Sequence, residues 1–193
     1  MSLRKVILIV LPLLILIVAC SCIALMNFGS LQASYSISAA EIEVLEGREY
    51  YQMLIDDIRN AESEILVAMY LMKYDPDDPY DWANDLIREL VAAKNRGVDV
   101  KVIIEYRTYQ GYMDVNLEAY NYLKDHGVNV KLDEDSETDH FKFVVIDGKI
   151  VYVGSHNWGE AALYYNREVS VRIVDEGIAR ELEEYFNALW SSS

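Results

Sequence analysis

Beyond residue 40, apolar and polar positions alternate between two rhythms. The runs "SEILVAMYLM" from Ser63 and "VDVKVIIEY" from Val98 are short and largely β-branched, which predicts buried strands. "EIEVLEG" before them and "VNVKL" and "REVSVRIVD" after them read as further strands. Between the strands, "REYYQMLIDDIRNA" sets Tyr51, Leu54, Ile55 and Ile58 at helical spacing. "DWANDLIRELVAAKNRG" is amphipathic, with Asp81 as cap and Gly97 as stop, and "MDVNLEAYNYLKDHG" closes on Gly127. A last helix is expected in "EGIARELEEYFNALW". Strands alternating with helices of this length predict βαβ units, hence an α/β domain over residues 41–193 whose sheet is largely parallel and covered on both faces.

The pattern before residue 41 is different. Val6 to Phe28 carry no charge and follow Arg4 and Lys5. As a helix these residues reach roughly 35 Å at 1.5 Å per residue, enough to cross a hydrocarbon core of about 30 Å. Residues 1–28 are therefore expected to form a transmembrane anchor, with the basic flank cytoplasmic and the domain outside. A cleaved signal is a second reading. "IVAC" before Cys20 also matches a lipobox, which would make the protein a lipoprotein. Residues 29–40, small and uncharged, read as a linker.

Charge and cysteine content narrow the chemistry. The chain of 193 residues has a formal charge of −15. Arg4 and Lys5 are its only charges before Glu41, so the domain is two units more negative still. Such a surface counts against passive binding of polyanions. Both cysteines, Cys20 and Cys22, precede the domain, which excludes a disulfide framework or a cysteine-ligated zinc within it. Acidic residues crowd two connections, Asp133 to Asp139 and "KYDPDDPYDW" from Lys73.

One stretch breaks its rhythm with chemistry. "HFKFVVIDGKIVYVGSHNW", from His140, reads as a hairpin about an Asp147-Gly148 type I′ turn. A two-residue turn sets Ile146 opposite Lys149 and Ser155 opposite His140. Alternation then places Lys142 on the face of His140, and Asn157 with Ser155. Gly154 would let the backbone approach a ligand. Lysine, serine and asparagine are donors for phosphate oxygens, and an imidazole among them can attack phosphorus or carry a proton.

His140, Lys142, Asp147, Gly154, Ser155 and Asn157 fit, without a gap, the HxKxxxxDxxxxxxGSxN signature of the phospholipase D superfamily, and the chain resembles its small single-motif members of the Nuc and Zucchini endonuclease types. The resemblance spans Ala61 to Trp190. It implies a phospholipase D-like α/β/α sandwich and a metal-independent, cofactor-free phosphodiesterase. His140 would form a phosphohistidine, while Lys142, Ser155 and Asn157 bind the phosphate. Glu168 would hold the tautomer of His140, and Asp147 would be structural or orienting. Because the motif occurs once and the chemistry needs two histidines, the resemblance also implies a homodimer sharing one site. Nucleic acid is the first substrate expected, and a phospholipid such as cardiolipin the second.

Each residue also has a plainer reading. Asp147 suits a type I′ turn whatever the chemistry, and Glu168 could pair with Arg167 or Arg172 across strands. His156 is expected to make local contacts or face solvent, and His126 to close a helix. Arg107, Tyr106 and Tyr109 follow a strand and are candidates for lining the substrate groove.

Overall fold

The computed structural model describes residues 40–106, 114–133 and 138–193. The expected anchor, signal or lipoprotein segment and the linker lie outside the described residues, as do Arg107, Tyr109 and residues 134–137 of the acidic connection. Among the described residues, no helix is long and apolar enough to cross a membrane.

Two strands explain the architecture. β2 (Glu64–Met69) and β5 (Lys142–Ile146) are buried along almost their whole length. Their side chains alternate between two cores: Ile65, Val67, Met69, Val144 and Ile146 enter one, and Leu66, Ala68, Phe143 and Val145 the other. A strand covered on both faces must read as an unbroken apolar run, as these do. The first core lies under α1 (Glu49–Asn60), α2 (Trp82–Arg96) and α3 (Asp114–Asp125), through Leu54, Ile58, Leu86, Leu90 and Leu123. The second lies under α4 (Glu176–Ser192), through Ala179 and Phe186.

The helix boundaries follow the sequence signals. The Asp81 carboxylate accepts from the Ala83 amide at 2.9 Å, and Gly97 ends α2 at φ 101°. The Gly97 and Val98 amides then satisfy the Lys94 and Ala93 carbonyls. Gly127 repeats this device after α3, at φ 78°.

The sheet itself departs from expectation. With β1 (Glu41–Glu46), β3 (Asp99–Glu105), β4 (Asn129–Asp133), β6 (Ile150–Gly154) and β7 (Val169–Val174), its order is β1-β7-β6-β5-β2-β3-β4. Only β2-β3 and β3-β4 pair in parallel, and the other four pairings are antiparallel. The sheet is therefore mixed and mostly antiparallel, not largely parallel. The βαβ units before the hairpin are parallel as predicted. The hairpin then docks β5 antiparallel on β2, and everything beyond it alternates in direction.

Among the described residues, one region stays uncovered. On β1, Ile42 and Val44 are exposed, at 59% and 60%, and Val153 of β6 and Val169 of β7 are exposed beside them. α4 packs over β5, β6 and β2, away from this edge.

Candidate active site

The predicted turn forms, but the predicted register does not. Asp147 and Gly148 have φ of 52° and 60°, and the Lys149 amide donates to the Ile146 carbonyl at 3.1 Å, as a type I′ turn requires. Ile146 nevertheless pairs with Ile150 instead of Lys149. Lys149 is an extra residue, its carbonyl accepting from the Asp175 amide at 2.9 Å, and it moves β6 along by one. Continued past the strands, this register sets His156 opposite His140. β6 ends at Gly154 and the chain bends at Ser155, whose hydroxyl meets Glu168.

The open end of the hairpin carries His140 and Lys142. His140 precedes β5 and is exposed, and its ring lies 4.3 Å from that of Tyr70, just past β2. Lys142, first in β5, is only 6% exposed. Its ammonium donates to the His140 carbonyl at 3.1 Å, approaches His140 Nδ1 at 3.4 Å, and sits 4.9 Å over the Tyr70 ring. Burial pushes its pKa below that of an ordinary lysine, while Glu168 pulls it back through space.

Ser155, Asn157 and Glu168 approach from β6 and β7. The Ser155 hydroxyl donates to one oxygen of Glu168 and accepts from the Val169 amide at 3.1 Å; the other Glu168 oxygen accepts from Asn166 at 3.1 Å. In this arrangement Ser155 holds Glu168 instead of offering its proton to a phosphate. Glu168 makes no hydrogen bond to His140. Nor does it pair with Arg172, which is taken by Asp57 at 2.7 Å and Glu43 at 3.2 Å. Asn157 is half-buried, and its side-chain oxygen is buried without a partner among the described residues. An unpaired buried acceptor costs about 1–3 kcal/mol, so it marks a group kept for something other than folding.

Two residues of the motif, Asp147 and Gly154, have roles that the fold sets. Asp147 lies at the far end of β5 from His140, seven residues on and up to about 24 Å away at 3.4 Å per residue. Its carboxylate accepts from the amides of Glu62, Ser63 and Glu64 and from the Ser63 hydroxyl, at 2.7–3.0 Å. Burial alone would raise its pKa; those donors hold it below the usual carboxylate value. It ties the turn to β2 and takes no part in the cluster at His140. Gly154 also has a structural reason: a Cβ there would lie 2.2–2.6 Å from Ser170 on β7, so the close approach it permits is that of a strand.

His156 makes local contacts and does not face solvent. It is fully buried and stacks on Tyr50 at 4.3 Å with rings 3° from parallel. Its Nε2 faces the Gly47 carbonyl at 3.0 Å and its Nδ1 the Ser170 hydroxyl at 2.7 Å. A carbonyl only accepts, so Nε2 carries the proton and Ser170 donates to Nδ1. Burial pushes its pKa down, favouring that neutral form. Together with Trp158, whose amide bonds the Leu71 carbonyl at 2.9 Å, it fixes Asn157 between two buried neighbours.

Of the other candidates, His126 closes α3 as expected, with Nδ1 at 2.7 Å from the Tyr122 carbonyl. Tyr106 is half-buried, its amide bonded to the Asp133 carbonyl at 2.9 Å. Tyr70 was not singled out in the sequence. Its only signal was a polar-tipped ring closing an apolar strand.

The protein is an α/β domain whose mixed sheet presents a lysine and an imidazole at one end, groups with the chemistry to bind a phosphate. A family model described as "Cardiolipin synthase, PLD-like domain" matches residues 54–190, and the chain belongs to the phospholipase D superfamily. Over 105 residues it is 35% identical to the mitochondrial cardiolipin hydrolase of Xenopus tropicalis, covering 54% of this chain and 48% of that protein. It is 28% identical to a cardiolipin synthase of Staphylococcus aureus, covering 76% of this chain and 31% of the synthase. The chain thus spans about half or less of these curated relatives. Nuc of Salmonella typhimurium, a phospholipase D family member of known structure, superposes with a TM-score of 0.67 at 28% identity, covering 79% of this chain and 95% of Nuc.

Proposed function

We propose that the protein is a phosphodiesterase in which His140 attacks phosphorus and forms a phosphohistidine. Lys142 and Asn157 would hold the non-bridging oxygens, where phosphoryl transfer concentrates charge. The P–O bond to the leaving group breaks as the N–P bond forms, and a second imidazole protonates the departing oxygen. Water then attacks the phosphohistidine and returns His140. The observation that carries this reading is the Lys142 ammonium, buried on an apolar strand and placed 3.4 Å from His140 Nδ1.

The second imidazole is the reason to propose a homodimer. Attack through Nε2 requires Nδ1 to carry the proton, yet here Nδ1 faces an ammonium and Glu168 is bonded elsewhere. A second copy would supply what one chain lacks. The exposed Ile42, Val44, Val153 and Val169 beside Glu168 offer a surface for it.

Nucleic acid is the first substrate, supported by the near-complete overlap with Nuc. A phospholipid is the second, favoured by the charge of −15, which repels a polyanion. The experiment is hydrolysis of DNA, RNA, and phosphatidylcholine or cardiolipin vesicles in EDTA, by wild type and His140→Asn. Turnover of one substrate class in EDTA, absent in the variant, is expected. Loss of all activity on adding EDTA contradicts the metal-free reaction, and an active monomer contradicts the shared site.

A further inference from the structure

The proposed reaction leaves one buried imidazole without a task. His156 fills the free position of the motif, between Ser155 and Asn157, and is fully buried. An aliphatic side chain would occupy that place with no polar atom to desolvate, so its two nitrogens need a reason.

The bonds of His156 complete a closed circuit. Its Nε2 donates to the Gly47 carbonyl at 3.0 Å, and the Gly47 amide donates to the Glu168 carbonyl at 3.0 Å. The Glu168 carboxylate accepts from the Ser155 hydroxyl, and Ser155 is joined to His156 through the chain. The Ser155 amide also donates to the Val169 carbonyl at 3.0 Å, so the start of β7 is gripped at two successive carbonyls. Gly47 lies in the turn between β1 and α1, which the circuit thereby ties to the end of β6.

The two nitrogens do different work. Nδ1 accepts from the Ser170 hydroxyl at 2.7 Å, a bond that stays within the core. Only the Nε2 bond lies on the path to Glu168.

We infer that His156 is a positioning residue: through the Gly47 carbonyl it sets where Glu168 stands relative to Ser155, and its own buried anchorage holds Asn157 in place. The kinetic part of this inference rests on the phosphodiesterase reading; the circuit of bonds does not.

Two substitutions divide the imidazole, because glutamine can present an N–H near the place of Nε2, and asparagine an oxygen near that of Nδ1. In the full chain in maltoside micelles, His156→Gln should keep the bond to Gly47 and turn over bis(p-nitrophenyl) phosphate within about threefold of wild type. His156→Asn should lose that bond. Its kcat should fall about tenfold to a hundredfold with KM within about twofold, since misplaced groups cost the transition state more than the ground state. Tyr152→Phe is the control. It removes a buried hydroxyl that donates to Asp57 in the same core, outside the circuit, and should cost stability yet keep the wild-type kcat. Equal kcat in the glutamine and asparagine variants, or a loss in Tyr152→Phe that matches asparagine, overturns the role. A measurement on the wild-type chain stands apart from folding of the variants: ¹⁵N shifts of the His156 ring should report the Nε2–H tautomer, and the Nδ1–H tautomer overturns the clamp. That readout needs no turnover. An inactive wild type with the Nε2–H tautomer would sink the phosphodiesterase reading and uphold the clamp.

Discussion

The two ends of the β5–β6 hairpin carry residues of one motif and are built in opposite ways. At the turn, the Asp147 carboxylate collects four donors and is fully occupied by the fold. At the open end, Lys142 is buried with its charge, Asn157 has an unpaired oxygen, and His140 projects into solvent. Satisfied polar groups stabilise a fold, whereas polar groups held unsatisfied are a burden that only a ligand can relieve. The contrast predicts that the two ends fail differently: one in activity, the other in stability.

The largest effect is expected at His140. His140→Asn removes the proposed nucleophile from an exposed position, so turnover of bis(p-nitrophenyl) phosphate should fall by about 10³-fold or more while the melting temperature stays within about 2 °C. A comparable loss of stability would place His140 with Asp147. Lys142→Met is next. It removes a phosphate ligand, so activity should fall about 10²-fold. Because it also removes a buried charge from an apolar strand, stability should hold or rise by about 1 kcal/mol. Urea denaturation of the variant checks the sign.

Asp147→Ala should do the reverse. Three amides and a hydroxyl lose their acceptor, so the fold should weaken by about 2–4 kcal/mol with turnover nearly unchanged. The difference from wild type should depend on pH in a defined direction. Donors lower the folded pKa of Asp147, so its contribution is complete above the unfolded value of about 3.9 and fades as pH falls through the lower folded value. Denaturation midpoints of the two proteins should therefore converge below about pH 4 and stay apart from pH 5 to 8. A constant gap would show that packing, and not the charge, is what Asp147 supplies.

Local signals in the sequence were read correctly, and pairings made at a distance only in part: the parallel β2–β3 and β3–β4 pairs were, the antiparallel ones beyond them were not. Strand runs, the Asp81 cap, the stops at Gly97 and Gly127 and the type I′ turn all depend on a few neighbouring residues. The sheet's mixed direction depends on where the hairpin docks, and β1 reaches the edge beside β7 from more than a hundred residues away. The site shows the same division. Motif spacing located His140, Lys142, Ser155 and Asn157, but the extra residue at Lys149 shifted the register that was to align them. Alternation could not foresee that β6 would end at Gly154 and turn Ser155 toward Glu168. Gly154 was misread, and His156 left between local contact and solvent, for a related reason: both are set by Ser170, a strand away.

The smallest predicted effect tests whether the open end extends beyond the motif. Tyr70 offers its ring to both His140 and Lys142, so it opposes the burial that lowers the pKa of Lys142. Tyr70→Leu keeps apolar bulk and removes the ring, so activity should fall about fivefold as the cationic form of Lys142 is lost sooner on raising pH. The alkaline limb of the pH–rate profile should therefore move to lower pH. Tyr70→Phe keeps the ring face and should behave as wild type in both rate and profile. If leucine and phenylalanine lower the rate equally with no shift in the limb, the hydroxyl is the part that matters. The unsatisfied charge of Lys142 would then be met by the substrate alone.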